Sequence, residues 1–266
     1  MELAQPKCFI NQIVGDNGVH VINLKKSTDR LGNVTRDLNK FKIKFQRFNA
    51  VNGRIQQLHN IKKYWIVDDE FENDFLHNKK ELKKMKLGVI GCAMSHIKVW
   101  EKINKTTNKT INHKYEWSLI LEDDISLPKD INLLLKSVWD HIPKNTDIVY
   151  LGWSFPRDKG KIIYKNKLLR IMKYTGVNGG FAYLIKNSMI ENLLKMIPIN
   201  IAIDTLLANY TGNNIGCYCI KFNNNKLVTK SPEYQNGILD GIVLHSPING
   251  YSIIRNNKKT DKNNHT

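Results

Sequence analysis

The chain has 266 residues, of which 41% are hydrophobic, so it is long and apolar enough for a globular domain with a sizeable core and is not intrinsically disordered. It carries 41 Lys and Arg against 24 Asp and Glu, a formal net charge of +17 that suits an anionic partner such as a nucleotide, a nucleic acid, an acidic glycan or a membrane surface. Its 4 cysteines are too few and too scattered for a disulfide scaffold.

The start of the chain lacks the apolar core of a signal peptide, and no stretch approaches the ~20 apolar residues of a membrane span. We therefore expect a soluble, cytoplasmic protein, with contact at a membrane surface left open.

A β-α-β unit is predicted near the N-terminus. Val19 to Leu24 is typical of a buried strand, and Ser27 or Thr28 can cap the helix indicated by the 3.6-residue spacing of Leu31 to Phe41. Ile43 to Phe48 alternates apolar and polar residues and predicts the second strand. This order favours an α/β domain with a mostly parallel central sheet.

Helices and strands are also predicted to alternate along the rest of the chain. Residues 54–86 are charged and mixed, which indicates loops and a short helix, and the polar residues 104–116 indicate a surface loop. Further helices are predicted at 88–103, 131–139, 187–196 and 202–210, and further strands at 118–121, 147–152, 168–174 and 217–222. We expect one domain over residues 18–254, an N-terminal extension over 1–17 and a disordered basic tail over 255–266.

Three consecutive carboxylates, Glu122, Asp123 and Asp124, follow the predicted strand 118–121. Functional residues of open α/β sheets lie at the carboxyl ends of the strands. Carboxylate oxygens are suitable ligands for Mg²⁺ or Mn²⁺, which can also bind substrate phosphates. The cluster therefore indicates a metal-diphosphate site, and the alternative is a solvated acidic turn.

Six blocks of the sequence, in order, resemble glycosyltransferase family 25. They are VINLKKSTDR (21–30), FQRFNAVNG (45–53), LGVIGCAMSHIKVWEKI (87–103), SLILEDDISL (118–127), GGFAYLIKNSMIENLL (179–194) and PINIAIDTLL (198–207). The family includes bacterial lipopolysaccharide galactosyltransferases and collagen hydroxylysine galactosyltransferases.

The resemblance implies a GT-A-like Rossmann-type sandwich and a UDP-sugar donor, UDP-galactose or UDP-glucose, used with Mn²⁺ or Mg²⁺. Asp124 would ligate the metal, and Glu122 or Asp123 would hold the ribose or a metal-bound water. The metal would neutralise charge on the departing UDP. A hexose would pass, with inversion, to a hydroxyl of a glycan, lipopolysaccharide or protein acceptor.

The turn after the first strand carries Asn23, Lys25 and Arg30 near a predicted helix N-terminus, where unpaired N–H groups attract anions. In the family reading Arg30 binds uridine or phosphate, and we assign the three residues to donor binding. The alternative is that they are solvated loop residues.

Ser95 and His96 follow Gly88 and Gly91 in the helix predicted at 88–103. Glycine lowers helix stability relative to alanine, so a close approach of another segment is expected there. We assign Ser95 and His96 to donor binding, with a buried packing histidine as the alternative.

Asp204 and His245 complete the predicted site. Asp204 lies among apolar residues, where a carboxylate needs a partner or a function, and we assign it as the base that inversion requires. The alternative for Asp204 is a helix N-cap. His245 is assigned as a third metal ligand, after Asp124 and Glu122.

Two other classes of function remain open at this point. A nucleic-acid-binding protein, or a metal-dependent nuclease that uses Glu122 to Asp124, fits the basic charge. The basic residues are spread along the chain without a nucleic-acid motif, so no specific nucleic acid is expected. A glycosyltransferase-like scaffold without activity is the third reading, and the retained carboxylates argue against it.

Overall fold

The structure is a computed structural model that describes residues 8–78, 86–109, 114–214, 217–222, 225–231, 242–245 and 252–255. The side chains of residues 108–109, 213–214, 242–245 and 252–255 lie outside this description. The chain divides into two compact units, Met1–Thr229 and Lys230–Thr266, and the first contains the central sheet.

The helices of the described residues all lie in the first unit. They are α1 (Phe9–Val14), α2 (Thr28–Lys40), α3 (Leu58–Lys62), α4 (Asp69–Leu76), α5 (Leu87–Lys109), α6 (Ile131–Trp139), α7 (Asn187–Leu194) and α8 (Ile203–Asn214), with a 3-10 turn at Gly53–Ile55. In the part of residues 54–86 that the structure describes, the predicted short helix is thus two short helices and a turn.

The strands of the central sheet are β1 (Val19–Asn23), β2 (Gln46–Asn49), β3 (Trp117–Glu122), β5 (Ile148–Gly152), β7 (Lys161–Lys165), β8 (Leu169–Tyr174), β10 (Ala182–Lys186), β11 (Cys217–Phe222) and β12 (Asn225–Lys226). The other strands are β4 (Ile125–Ser126), β6 (Phe155–Pro156), β9 (Val177–Asn178), β13 (Thr229–Lys230), β14 (Ile242–His245) and β15 (Ser252–Arg255).

The sheet has nine strands in the order β2-β1-β3-β10-β5-β11-β8-β7, with β12 paired to β11. β1 is parallel to β2 and β3, β5 is parallel to β11, and β10 runs antiparallel between β3 and β5. When these pairings are followed across the sheet, six strands share one direction, and β8, β10 and β12 oppose it. The prediction of an α/β fold with a mostly parallel central sheet is confirmed.

Alternation along the strands places apolar side chains on both faces of the sheet, which makes an α/β/α sandwich. One core contains Val19, Leu119 and Leu121 from the sheet, packed with residues of α1, α2 and α6. The opposite core contains Ile22 and Ile120, packed with residues of α5, α7 and α8. Because both faces are covered, functional groups can reach solvent at the ends of the strands.

Two segments that were predicted as an extension and as a loop contain helix. Helix α1, within the segment expected to be an extension, buries Ile10 and Val14 in the core beside α6. Helix α5 continues to Lys109 through residues expected to form a loop, because Ile103 is buried against the sheet; the hydroxyls of Thr106 and Thr107 donate to carbonyls within the helix. The predicted domain limits remain a prediction, and residues 256–266 of the tail lie outside the described residues.

Gly91 permits the close approach expected of the glycines in α5. A Cβ on Gly91 would lie 2.6 Å from the nitrogen of Gly53 and 2.8 Å from the oxygen of Val51, whereas a Cβ on Gly88 would meet nothing within 4 Å. Val51 is also held here, because its N–H donates to Ser95 Oγ at 2.8 Å. Gly91 therefore fixes how α5 packs on the loop after β2.

We expect Gly91→Ala to lower the free energy of unfolding by about 1–3 kcal/mol, because backbone atoms must move to admit the methyl group. Gly88→Ala is the matched control on the same helix and should be neutral or stabilising by up to about 1 kcal/mol. Urea unfolding of both variants measures the difference. Equal stabilities would contradict the packing argument.

Among the described helices, none combines the length and apolar character needed to cross a membrane.

Candidate active site

Strands β1 and β3 are neighbouring parallel strands, so their carboxyl ends lie side by side. Ile22 pairs with Glu122 in register, and Asn23 and Glu122 are the last residues of their strands. The reversed strand β10 begins at the same edge, where the N–H of Glu122 donates to the carbonyl of Phe181 at 2.9 Å. The acidic cluster and the turn between β1 and α2, the first βα turn, therefore lie next to each other at this edge of the sheet.

Asp123 is tied to the first βα turn by two side chains. Asn23 donates from Nδ2 to Asp123 Oδ2 at 2.6 Å and also to the Ser27 carbonyl at 2.9 Å, and Arg30 donates from Nη1 to Asp123 Oδ1 at 3.3 Å. Asn23 is fully buried, and its Oδ1 has no hydrogen-bond partner within the described structure. A buried acceptor without a partner is costly unless a ligand supplies a donor.

Arg30 is the positive charge beside the acidic cluster. Its Nη1 lies 3.3 Å from Asp123 Oδ1 and 3.5 Å from Asp124 Oδ2. Arg30 lies in the first turn of α2, and Lys25 is exposed in the turn before it. The two aspartates are each only 8% exposed, so a nearby cation is needed to offset their mutual repulsion.

Glu122 faces a different group of side chains. Its Oε1 lies 3.9 Å from His96 Nε2, and the nearest ligand atoms of Glu122, His96 and Cys92 all lie within 4.8 Å of one another. His96 is buried and contacts Tyr183 Oη through Nδ1 at 2.7 Å, and Trp100 Nε1 donates to the same hydroxyl at 3.3 Å. Burial raises the pKa of Tyr183 well above its usual value, so the hydroxyl stays protonated.

Ser95 is occupied by structural contacts. Its hydroxyl donates to the Gly91 carbonyl at 2.6 Å and accepts from the Val51 N–H at 2.8 Å, and the residue is 1% exposed. The bond from Val51 joins α5 to the loop after β2, and the bond to Gly91 lies within α5. A role for Ser95 in donor binding stays a prediction, and so does the role assigned to Lys25.

Asp204 is the second residue of α8, so it does not occupy the position that precedes the helix. Its Oδ2 accepts from the N–H of Gly179 at 2.6 Å, and its Oδ1 accepts from its neighbour Thr205 at 2.8 Å. Gly179 lies two residues before Phe181, whose carbonyl accepts from Glu122, so one short segment links Asp204 to the acidic edge. Each carboxylate oxygen retains a lone pair that can accept a further hydrogen bond.

The structure thus brings together Asn23, Arg30, Asp123 and Asp124, and places Glu122 with His96. The backbone of His245 lies in β14 of the second unit, and its side chain lies outside the described part of the chain, so its role as a ligand stays a prediction.

Cys92 and Tyr183 were given no role from the sequence. The four-residue spacing of Cys92 and His96 on a predicted helix was the available signal for Cys92, because such residues share one face. No comparable local signal exists for Tyr183, whose contact with His96 spans 87 positions.

Open α/β proteins bind their ligands beyond the carboxyl ends of the strands. This chain has such a sheet, with carboxylates and an arginine at that edge, and therefore belongs to this broad class. The model of a family described as glycosyltransferase family 25 (LPS biosynthesis protein) matches residues 16–207, which is more than half of the chain. The chain therefore belongs to glycosyltransferase family 25, and the resemblance seen in its six blocks is confirmed.

Three curated relatives illustrate the range of the similarity. A putative glycosyltransferase of Haemophilus influenzae is 27% identical over 71% of this chain and 61% of its own length. Procollagen galactosyltransferase 2 of Mus musculus is 25% identical over 56% of this chain and 23% of its own length. Putative glycosyltransferase R655 of Acanthamoeba polyphaga mimivirus is 30% identical over 52% of this chain and 38% of its own length. The chain thus spans less than two thirds of each relative.

Proposed function

We propose that this chain is a metal-dependent glycosyltransferase that moves a hexose, galactose or glucose, from a UDP-sugar to a hydroxyl group of a glycan or protein acceptor, with inversion at the anomeric carbon. The observation that carries the proposal is the buried pair Asp123 and Asp124, held by Asn23 and Arg30 at the carboxyl edge of the sheet of a family 25 chain.

The names of the relatives support both a protein and a glycan as the acceptor. Procollagen galactosyltransferases of several animals are similar to this chain, which favours galactose as the hexose and a protein acceptor. The lipooligosaccharide biosynthesis protein lex-1 of Haemophilus influenzae is 28% identical over 43% of this chain, which favours a lipid-linked glycan.

The acidic edge fits a hard divalent cation. Mn²⁺ and Mg²⁺ take oxygen ligands, and Asp124 and Glu122 would supply them. The buried Asn23 Oδ1, which has no partner among the described residues, adds an acceptor beside the cluster for a donor group of the nucleotide. When bound, the metal would act as a Lewis acid that offsets the charge of the leaving diphosphate.

The protein side chains would bind and orient the substrates. Arg30 and the N-terminal turn of α2 would receive negative charge of the diphosphate, and Asn23 would hold Asp123 in its observed orientation. Asp204 would accept the proton of the acceptor hydroxyl as that oxygen attacks the anomeric carbon. The bonds from Gly179 and Thr205 would fix its carboxylate during that transfer.

Thermal shift of the purified chain tests donor binding. Mn²⁺, Mg²⁺ or EDTA is combined with UDP, UDP-galactose, UDP-glucose, GDP-mannose or a short DNA duplex. A ligand at ~100 times its Kd stabilises the native state by about 2.7 kcal/mol, which raises the Tm measurably. We expect stabilisation by UDP compounds only when metal is present. Stabilisation by DNA alone would refute the proposal and favour a nucleic-acid-binding protein.

Arg30→Gln should have opposite effects on the affinities for Mn²⁺ and for UDP. Loss of a positive charge beside Asp123 and Asp124 should tighten Mn²⁺ binding without nucleotide, and should weaken UDP binding in the presence of Mn²⁺. Because Arg30 is 40% exposed, each change should be up to about fivefold, which corresponds to about 1 kcal/mol.

The matched control for Arg30→Gln is Arg36→Gln, an exposed position of the same helix. Isothermal titration with each ligand gives the affinities. A loss of Mn²⁺ affinity in Arg30→Gln would show that Arg30 is needed to organise the carboxylates, and would contradict the expectation of competition.

A further inference from the structure

Cys92, His96 and Glu122 bring three different metal-binding groups to one point on the edge of the sheet. Cys92 and His96 lie one turn apart on α5, and Glu122 ends β3. One ligand atom from each lies within 4.8 Å of the other two. The sulfur, nitrogen and oxygen of this group differ in character from the all-oxygen set at Asp123 and Asp124.

Little movement is needed to bring the three ligand atoms onto one ion. In a tetrahedral zinc site with bonds of about 2.0–2.3 Å, neighbouring ligand atoms lie roughly 3.3–3.7 Å apart. His96 Nε2 and Glu122 Oε1 are already 3.9 Å apart. The Glu122 side chain is 29% exposed and Cys92 is exposed, so rotation of these two side chains can close the remaining gap.

His96 has the environment of a metal-binding histidine. Its other nitrogen, Nδ1, lies 2.7 Å from Tyr183 Oη, and the two rings stack with centroids 5.7 Å apart. The hydroxyl oxygen can accept from His96 Nδ1–H as well as from Trp100. In that tautomer Nε2 presents a lone pair to the cluster, and the hydrogen bond fixes the ring, as outer partners do at zinc sites.

We propose that Cys92, His96 and Glu122 bind a transition metal of the zinc class, with an open fourth position towards solvent, as a site distinct from the one assigned to Mn²⁺ or Mg²⁺. Thiolate and imidazole ligands select zinc or cobalt over manganese or magnesium. Asp123 and Asp124 contact Arg30 and lie outside the group, so Glu122 is the single residue that both assignments share.

Cobalt is the probe, because a Co²⁺–thiolate bond gives a near-ultraviolet charge-transfer band and tetrahedral Co²⁺ gives intense visible bands. The reduced, metal-stripped full chain is titrated with Co²⁺ and then with Zn²⁺. We expect the first equivalent of Co²⁺ to give both bands, because the thiolate and imidazole ligands bind it most tightly, and one equivalent of Zn²⁺ to bleach both. Absence of the charge-transfer band would overturn the proposal.

Variants identify the ligands. Cys92→Ser should abolish the charge-transfer band, and because Cys92 is exposed the variant should keep the Tm of the parent. Cys8→Ser is the control and should keep the band. Tyr183→Phe should weaken Zn²⁺ binding about 10- to 100-fold, the usual effect of losing an outer hydrogen bond.

A charge-transfer band that survives Cys92→Ser would show that another thiol binds the cobalt, and would overturn the site. Cys217 and Cys219, whose sulfur atoms lie 3.9 Å from each other, are the obvious candidates. Asp124→Asn should retain the band, because Asp124 is not part of the group. These readouts do not depend on transfer activity, so failure of the zinc site and failure of the proposed function can be told apart.

Discussion

Asp124→Asn should lower the rate of sugar transfer at least about 100-fold, which corresponds to roughly 2.7 kcal/mol of transition-state stabilisation. In the proposed site the substitution would replace a carboxylate ligand with a weaker neutral one, and the leaving diphosphate would lose part of its charge compensation. The fold should persist, because Asn has nearly the same shape and the buried cluster loses one of its like charges. Release of UDP from UDP-galactose, in the presence of an acceptor glycan, measures the effect.

Asp130→Asn is the matched control for Asp124→Asn. Asp130 is exposed just before α6, and its side chain makes no capping hydrogen bond. The substitution makes the same charge change six positions away and should leave transfer unchanged. Normal activity in Asp124→Asn would remove Asp124 from the metal site and would leave Glu122 and Asp123 to be tested in turn.

Asp204→Asn should slow transfer about 10²- to 10⁴-fold while changing the Kd for UDP less than about threefold. The amide cannot accept a proton from the acceptor hydroxyl, yet its single oxygen can keep the bond from Gly179 or from Thr205. Turnover at saturating donor, together with titration of UDP, separates the two quantities.

Asp158→Asn controls for the structural part of that change. Asp158 also accepts two backbone N–H groups, from Gly160 at 2.9 Å and from Thr175 at 3.0 Å, so both variants lose comparable hydrogen bonding. Asp158→Asn should keep its activity. If Asp204→Asn instead loses metal or UDP affinity in step with turnover, Asp204 holds the donor and is not the base.

Local sequence patterns were sufficient for the elements with strong periodicity. Helix α6 has the predicted limits, β1 is one residue shorter than predicted, and β3 is one residue longer at each end, because each is short, strongly apolar and bounded by polar residues. Helix α1 was missed, because its amphipathic character becomes visible only when α6 and β3 are in place to cover Ile10 and Val14.

The residues of the site could likewise be predicted from local patterns, whereas their contacts could not. Asn23, Arg30 and the carboxylates were located from the sequence because they follow predicted strands, but their mutual contacts span 93 to 100 positions and depend on the pairing of β1 with β3. The contacts of Ser95 could not be predicted from its motif. Its place in a block shared with the family indicated donor binding, which stays a prediction, and the structure adds a bond from the Val51 N–H that joins α5 to the loop after β2.

The reversed direction of β10 separates the acidic edge from the outer part of the sheet in a way that bears on divergence among related chains. The chain leaves the edge at Gly152 and returns at Phe181, and these two residues are joined by a backbone hydrogen bond of 3.2 Å. This hydrogen bond thus joins the two ends of the segment 153–180. Residues 158–168, which lie beyond the pairing of β6 with β9 and are mostly exposed, can therefore gain or lose length without displacing Glu122, which makes this stretch a natural place for related chains to differ in length.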